Sequence, residues 1–443
     1  MIAVNRNNSI QLLKANRTMA ALIIIIFLIG YLAIAFEHSI SINKAASALL
    51  MGVVCWSIFA LLGNNREFMS YELGHHLAEI SGILFFLLGA MVIVELIDAH
   101  DGFEIITNLI NTTSKRKLVW IIGFLTFFLS AILDNLTTTI VMVTMLRKLI
   151  PSHKDRLMLA SLVVISANAG GAWSPIGDVT TTMLWIGNQV TTGNIVIKTI
   201  LPSLICFLVP AFLIGLKMDG AIEHVVHKKE KLFSTVKQRN WVFIIGVACL
   251  LFVPVFKTIT HLPPYMGMVF GLGFMWVVTE IMHSEKDERE KGLFSVNHAI
   301  RKIDTPSILF FLGILLAVSA LQSTGILTSV SSFLEKSIGN MTVITIVIGF
   351  LSAIVDNVPL VAAAQGMYSL DQYPTDHYFW EFLAYCAGTG GSILIIGSAA
   401  GVASMGMERI QFGWYLKHIA WIAAIGYLAG AGTYLLQHYL LSL

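Results

Sequence analysis

Apolar runs of about 20 residues, the length a helix needs to cross a bilayer, recur along this chain. They are Met19–Phe36, Ala45–Leu62, Leu77–Leu96, Ile195–Leu216, Trp241–Phe256, Tyr265–Met282, Ser307–Leu321 and Trp414–Leu436. Charged residues make up only 12% of the chain, against about 25% in a soluble domain. The pattern predicts an all-α polytopic membrane protein. The polar opening runs straight into Met19–Phe36 with no small-residue cleavage site, so that run is expected to be a span and not a removed signal peptide. Cys55, Cys206, Cys249 and Cys386 all sit inside apolar runs without metal spacing, as small packing residues do. A net charge of +2 argues neither for nor against an anionic partner. Membrane lipid is the expected surrounding partner, and no nucleic acid or nucleotide is expected; there is no glycine-rich Lys-Ser/Thr loop for ATP.

Against this apolar background stand "SAILDN" (Ser130–Asn135) and "SAIVDN" (Ser352–Asn357). An aspartate at the bilayer centre costs about 2.5–3.5 kcal/mol on insertion scales, so a pair kept twice asks for a reason. Two other stretches repeat in the same order. "GILFFLLGAMVIVE" (Gly82–Glu95) resembles "SILFFLGILLAVSA" (Ser307–Ala320), and "ANAGGAWSPIGD" (Ala167–Asp178) aligns with "AGTGGSILIIGS" (Ala387–Ser398). An internal repeat of this kind is the mark of a transporter built from two related units. The first is expected over 1–216, with a hairpin at 118–146 and a broken helix at 157–189. A linker at 217–240 follows, and the second repeat covers 241–443, with a hairpin at 341–370 and a broken helix at 378–405.

Flanking charge orients these pieces. The linker carries Lys228, Lys229, Lys231, Lys237 and Arg239, and the loop His283–Asp304 holds Lys286, Arg289, Lys291, Arg301 and Lys302. Positive loops face the cytoplasm. Lys115, Arg116 and Lys117 precede the first hairpin and Arg147, Lys148, Lys154 and Arg156 follow it, so both ends are cytoplasmic. Leu118–Leu133 and Leu136–Leu146 are each too short to span, which predicts a re-entrant hairpin turning at Asp134–Asn135. The second hairpin is followed by Asp371, Asp376 and Glu381 with no base before Arg409, and is expected to dip in from outside. The repeats are then inverted, with about 10–11 spans besides the hairpins. Counting back places the N-terminus outside, whereas Lys14 and Arg17 favour inside; the repeat symmetry fits more loops. "MYSLDQYPTDHYFW" is expected to form an outer interfacial aromatic belt.

Gly170, Gly171 and Pro175 break the Ser161–Ile186 stretch, and "AGTGGS" breaks Phe379–Met405. Broken helices expose half-helix ends and free carbonyls, where transporters coordinate ions. The two tips and the two breaks are predicted to meet near the midplane, with Asp134, Asp178 and Asp356 as buried acids. Around them stand Ser130, Asn135, Thr137, Thr138, Asn168, Ser174, Thr180, Thr181, Ser352, Asn357, Thr389 and Ser392. Hard cations such as Na⁺ take such oxygen ligands. Burial disfavours a charged carboxylate and a bound cation favours it, so one acid can hold either a proton or a sodium ion.

Blander readings compete. One buried Asp-Asn pair could be a satisfied structural contact, though its recurrence at both tips weighs against that. Any single threonine of Thr137–Thr139 or Thr180–Thr182 could bond back to its own helix. Asp178 has Ser398 at its equivalent place, which suits either a ligand or a supporting group. His75 and Glu79, four apart on one helix face beside His76, could sense pH; an interfacial cluster is the plainer reading. Glu95 could lie in a proton path, near Asp98.

"SAILDNLTTTIVMVTML" followed by "ISANAGGAWSPIGDVTTTMLW" resembles the NhaD-type Na⁺/H⁺ antiporters of the ion transporter superfamily, and "FLSAIVDNVPLVAAA" and "AGTGGSILIIGSAAG" agree. The resemblance implies a bacterial inner-membrane antiporter exchanging cytoplasmic Na⁺ (and Li⁺) for external H⁺, not an enzyme, with no cofactor beyond the transported ions. The family's residues match here as Ser130, Asp134, Asn135, Asn168, Asp178, Thr180, Thr181, Ser352, Asp356, Asn357 and Ser392. It also implies a homodimer with scaffold and transport domains, each assembled from both repeats, and elevator-type movement. Anion carriers of the superfamily, for dicarboxylates or citrate, carry a neutral serine where these tips carry aspartate. An arsenite-type extruder is less firmly separated, and a channel or non-transporting receptor fits twin hairpins poorly.

Overall fold

The computed structural model describes residues 2–35, 37–63, 65–107, 110, 112–221, 235–285 and 287–441. These are helical almost throughout, and among them the only β pairing is a lone antiparallel bridge between Ser114 and Ala221. A helix satisfies its backbone within one segment, which hydrocarbon demands. Among the described residues, 7 helices can cross a membrane by length and composition, or up to 9 if each bent pair is one span. The number is below the about 10–11 anticipated from apolar length because the broken helices divide into pieces too short or too polar. The apolar part of the first helix, Thr18–Ile34, is also short.

Contacts divide the chain into two compact units. One takes in the chain up to Leu84 with Asp304–Asn340 and Ala362–Gln372. Its helices Lys44–Leu62 and Thr305–Ser323 touch through reciprocal glycines. A Cβ on Gly52 would lie 2.6 Å from the Gly313 carbonyl oxygen, and one on Gly313 would lie 2.4 Å from the Leu49 nitrogen. Small residues let membrane helices approach this closely. Trp56 Nε1 locks the crossing by donating to the Leu316 carbonyl at 2.9 Å and to Ser319 Oγ at 3.2 Å.

The other unit comprises Phe85–Ile303, Met341–Val361 and the chain from Tyr373 on. It contains the tips of both hairpins and both broken helices. The first hairpin has arms Lys115–Leu133 and Asn135–Leu149, and its broken helix runs His153–Ala172 then Val179–Ile186. The second hairpin has arms Met341–Leu351 and Asn357–Met367, and its broken helix runs Tyr378–Gly390 then Ala399–Glu408. The two sets pack alike. A Cβ on Gly170 would strike the Phe127 carbonyl oxygen at 2.1 Å, and one on Gly390 would strike that of Gly349 at 2.0 Å. Ser130 Oγ donates to the Ala167 carbonyl at 2.6 Å and Ser352 Oγ to that of Ala387 at 2.7 Å. Backbone-to-backbone packing at glycine, fastened by one serine, thus holds each hairpin to its broken helix.

Some expectations change. The entering arm begins at Lys115, capped by Ser114, and at 19 residues is long enough to cross; reversal at Asp134, not shortness, makes it a hairpin arm. The aromatic stretch is no surface belt at its end, because Phe379 and Trp380 are fully buried and Trp380 Nε1 finds the Tyr373 carbonyl at 2.8 Å. The two ends of the linker are fastened: Lys115 N donates to the Gly220 carbonyl, and a Thr235–Gln238 capping box starts helix Val236–Thr260. Lys228, Lys229, Lys231 and Lys286 lie outside the described residues. The four cysteines are buried and unbridged.

Candidate ion-binding site

Each hairpin tip and each break ends where a new helix begins, so each presents an N-terminus whose first N–H groups have no intrahelical acceptor, and a positive dipole end. The residues at these starts are Asp134, Asp178, Asp356 and Ser398, before Asn135, Val179, Asn357 and Ala399 respectively. Carboxylates suit three of the places electrostatically, and a hydroxyl fills the fourth.

A chain of side-chain hydrogen bonds joins all four starts. Asn135 Nδ2 donates to Asn168 Oδ1 at 3.0 Å and to Asp178 Oδ1 at 3.2 Å. From the second repeat, Asn357 Nδ2 donates to Asp178 Oδ2 at 3.3 Å. Asn168 Nδ2 reaches the other way, to Ser392 Oγ and Ser398 Oγ, each at 2.9 Å. Thr180 Oγ1 also donates to Asp178 Oδ2. Asp134 and Asp356 both lie near enough to Asp178 to repel it. Asp178, 2% exposed, is therefore the hub of the arrangement. A Cβ on Gly388 would stand 3.1 Å from its Oδ2, so the break's first glycine makes room for it.

The tip asparagines turn their NH₂ groups toward Asp178, which fixes the amide orientation, since a carboxylate accepts and cannot donate. Their Oδ1 atoms point away, and among the described residues no donor reaches them. Each tip places an acid directly before an amide in the chain, Asp134 before Asn135 and Asp356 before Asn357. Among the described residues, every side chain hydrogen-bonded to Asp178 is an amide or a hydroxyl, and none is a cation.

Asp134 holds its own helix start. Oδ1 accepts from Thr137 N and Oδ2 from Thr137 Oγ1, both at 2.8 Å. Its backbone is at φ 81°, ψ 161°, a region nearly reserved for glycine that costs of order 1–3 kcal/mol. Among the described residues Asp356 has no such positive φ. Asp134→Gly forfeits a cap worth only a few tenths of a kcal/mol against glycine. The purified variant is expected to melt no lower than the parent in a thermal-shift assay, and a clear drop would show the tip to be unstrained.

Other nominated residues fall as follows. Ser174 Oγ donates to the Ala131 carbonyl and Thr182 Oγ1 to that of Pro175, so they brace the first break. Thr389 bonds back to Tyr385 in its own helix, the bland alternative realised there. Thr138, Thr139 and Thr181 are buried hydroxyls with no hydrogen-bond partner among the described residues, unusual for buried polar groups. His75 and His76 cluster with Glu79 at 3.5 Å and 3.4 Å in the first unit. Glu95 pairs with Lys302 at 3.6 Å. Neither group belongs to the Asp178 network.

Sequence reasoning missed Ser398 as a participant, although its alignment with Asp178 marked the place. It also missed two buried acids read only as flanking charge or not at all. Glu381 is held by Asn194 and by Tyr434 OH, and Glu408 by Arg156 Nε at 3.0 Å and Arg147 Nε at 3.3 Å.

A membrane-spanning helical chain that buries an acid-rich network where four helix starts are linked is a polytopic transporter of small solutes. The comparisons carry this further. Residues 10–388 match the model of the CitMHS family, described as citrate transporter. Two proteins of Arabidopsis thaliana, "Sodium/proton antiporter 1" and "Sodium/proton antiporter 2", are 49% and 46% identical over 94% of this chain, covering 72% and 99% of their own lengths. "Na(+)/H(+) antiporter NhaD" of Vibrio parahaemolyticus is 30% identical over 87% of this chain and 98% of its own. The chain belongs to the CitMHS transporter family and, within it, to the NhaD-type antiporters; it is a transporter and not an enzyme.

Proposed function

We propose that this protein exchanges cytoplasmic Na⁺ (and Li⁺) for external H⁺. The observation that carries the reading is the buried hub at the linked helix starts: among the described residues the side chains hydrogen-bonded to Asp178 are the neutral Asn135, Asn357 and Thr180, and Asp134 and Asp356 stand at two of the other starts. Such a site favours a cation, and both protons and sodium ions meet that need. Asp134 and Asp356 take the cargo or the protons, the Asn135 and Asn357 carbonyl oxygens add hard ligands, and Asp178 orients both amides while adding charge. Metal held this way is cargo, not a resident cofactor. The names of the relatives support sodium/proton exchange, whereas the family description names citrate. The same acids repel a carboxylate substrate, so we favour the cation.

The remaining parts rest on the resemblance. The unit with both hairpin tips is proposed as the moving transport body and the other as scaffold, in a homodimer working by an elevator. The proposed setting is a bacterial inner membrane, which the bacterial relatives support and the Arabidopsis relatives do not.

The test is proton flux in everted vesicles challenged separately with sodium, lithium, potassium, citrate and arsenite. Asparagine caps helices as well as aspartate, so Asp134→Asn keeps that helix start and removes the charge. Sodium and lithium should collapse the proton gradient in the parent, and Asp134→Asn and Asp356→Asn should each lose that response. Normal exchange in both variants would sink the site assignment; a response to citrate or arsenite alone would sink the cation reading.

A further inference from the structure

One face of the first hairpin's entering arm borders an open cleft of about 510 Å³, lined by Trp120, Ile121, Phe124 and Phe128 and flanked by Phe243 of helix Val236–Thr260. The lining is apolar throughout, and Phe124 and Phe128 are 38% and 50% exposed. Its volume falls in the range of small-molecule sites, about 300–1,000 Å³. Both helices begin at basic residues, Lys115–Lys117 on one and Lys237 and Arg239 on the other.

Most of these bases are neutralised. Lys115 pairs with Asp155 and Arg116 with Asp219, both at 2.7 Å, and Arg239 pairs with Glu104 at 2.8 Å. Lys117 and Lys237 make no ion pair among the described residues. Lys117 precedes Trp120 and Ile121 by three and four residues, so it shares the helix face that lines the cleft. An apolar trough thus opens beside surplus positive charge.

We propose that this cleft binds an anionic phospholipid, with one acyl chain lying along the entering arm and the headgroup phosphate held at Lys117. Charge complementarity selects this occupant over a zwitterionic lipid, because basic pockets between membrane helices recognise anionic headgroups. A second copy of the chain would have to bring its own acid to the mouth. The site lies apart from the Asp178 network, yet Leu129 and Ile132 of the same wall flank Ser130 and approach Asp134. An acyl chain there bears on the hairpin that carries the tip.

The full-length protein, delipidated in detergent, would be titrated with phosphatidylglycerol or phosphatidylcholine carrying brominated acyl chains, which quench nearby tryptophan. Phosphatidylglycerol should saturate the quenching at a concentration about fivefold lower, the worth of one basic residue at an anionic surface. Lys117→Gln, an exposed change, should bring the two lipids together, and Trp120→Phe should remove most of the saturable quenching. Equal affinity for both lipids in the parent would overturn the proposal. So would a preference that survives Lys117→Gln, or quenching unmoved in Trp120→Phe. Quenching that emerges only when a dimer is dissociated would give the cleft to a second copy and equally refute it.

Discussion

Asp178→Asn is expected to lower sodium-dependent proton exchange by about a thousandfold. A unit charge about 4 Å from a cation contributes about 4 kcal/mol at an effective dielectric constant near 20, and each 1.36 kcal/mol is a factor of ten. The substitution is isosteric, so the fold should persist and the purified variant should melt near the parent. It nevertheless removes two things together. The charge goes, and Asn135 and Asn357 lose the carboxylate that both of their NH₂ groups address. Those amides are then free to flip, turning donors toward the cargo where oxygens stood. Exchange in everted vesicles and sodium binding by calorimetry would report the two losses, and a variant that binds sodium within a few-fold of the parent would remove Asp178 from the hub.

The other large effect is structural. Gly170→Ala and Gly390→Ala each drive a methyl group into the facing hairpin's backbone, the Phe127 carbonyl oxygen at 2.1 Å and that of Gly349 at 2.0 Å. A backbone atom inside a packed hairpin cannot swing aside as a side-chain end can. Overpacking costs about 1–3 kcal/mol, occasionally more, and these contacts belong at the upper end. Both variants should melt clearly lower than the parent in detergent. Gly74→Ala and Gly193→Ala, where a Cβ meets nothing within 4 Å, serve as neutral controls. If Gly170→Ala melted with those controls, the close backbone approach would be wrong.

The sequence already showed the helical class, the twin hairpins and the convergence of the tips and breaks, because each rests on local chemistry. An acid inside an apolar run is costly wherever it sits, and glycine pairs interrupt a helix in any context. Tertiary partnership was less visible. Nothing local says that Asn168 crosses to the serines of the second break, or that Phe379 and Trp380 turn inward. Glu381 and Glu408 were obscured in a different way: an acid near a helix end looks like flanking charge until its partners, the buried Tyr434 and the half-buried Arg156, are brought up from distant segments. The left-handed backbone of Asp134 was hidden too, since residue type alone favours glycine there.

The span of Asn168 has a kinetic meaning. Its NH₂ group is anchored on Ser392 and Ser398 of the second repeat while its oxygen accepts from Asn135 of the first. Any path that exposes the cargo by prising the repeats apart must break both anchors at once in a buried setting. At about 1–3 kcal/mol for each group left unsatisfied, that route is slowed by between about one and four powers of ten. A path that carries both repeats together breaks neither bond and incurs no such barrier. One buried amide thereby supports the proposed displacement of the whole cradle over its dissection.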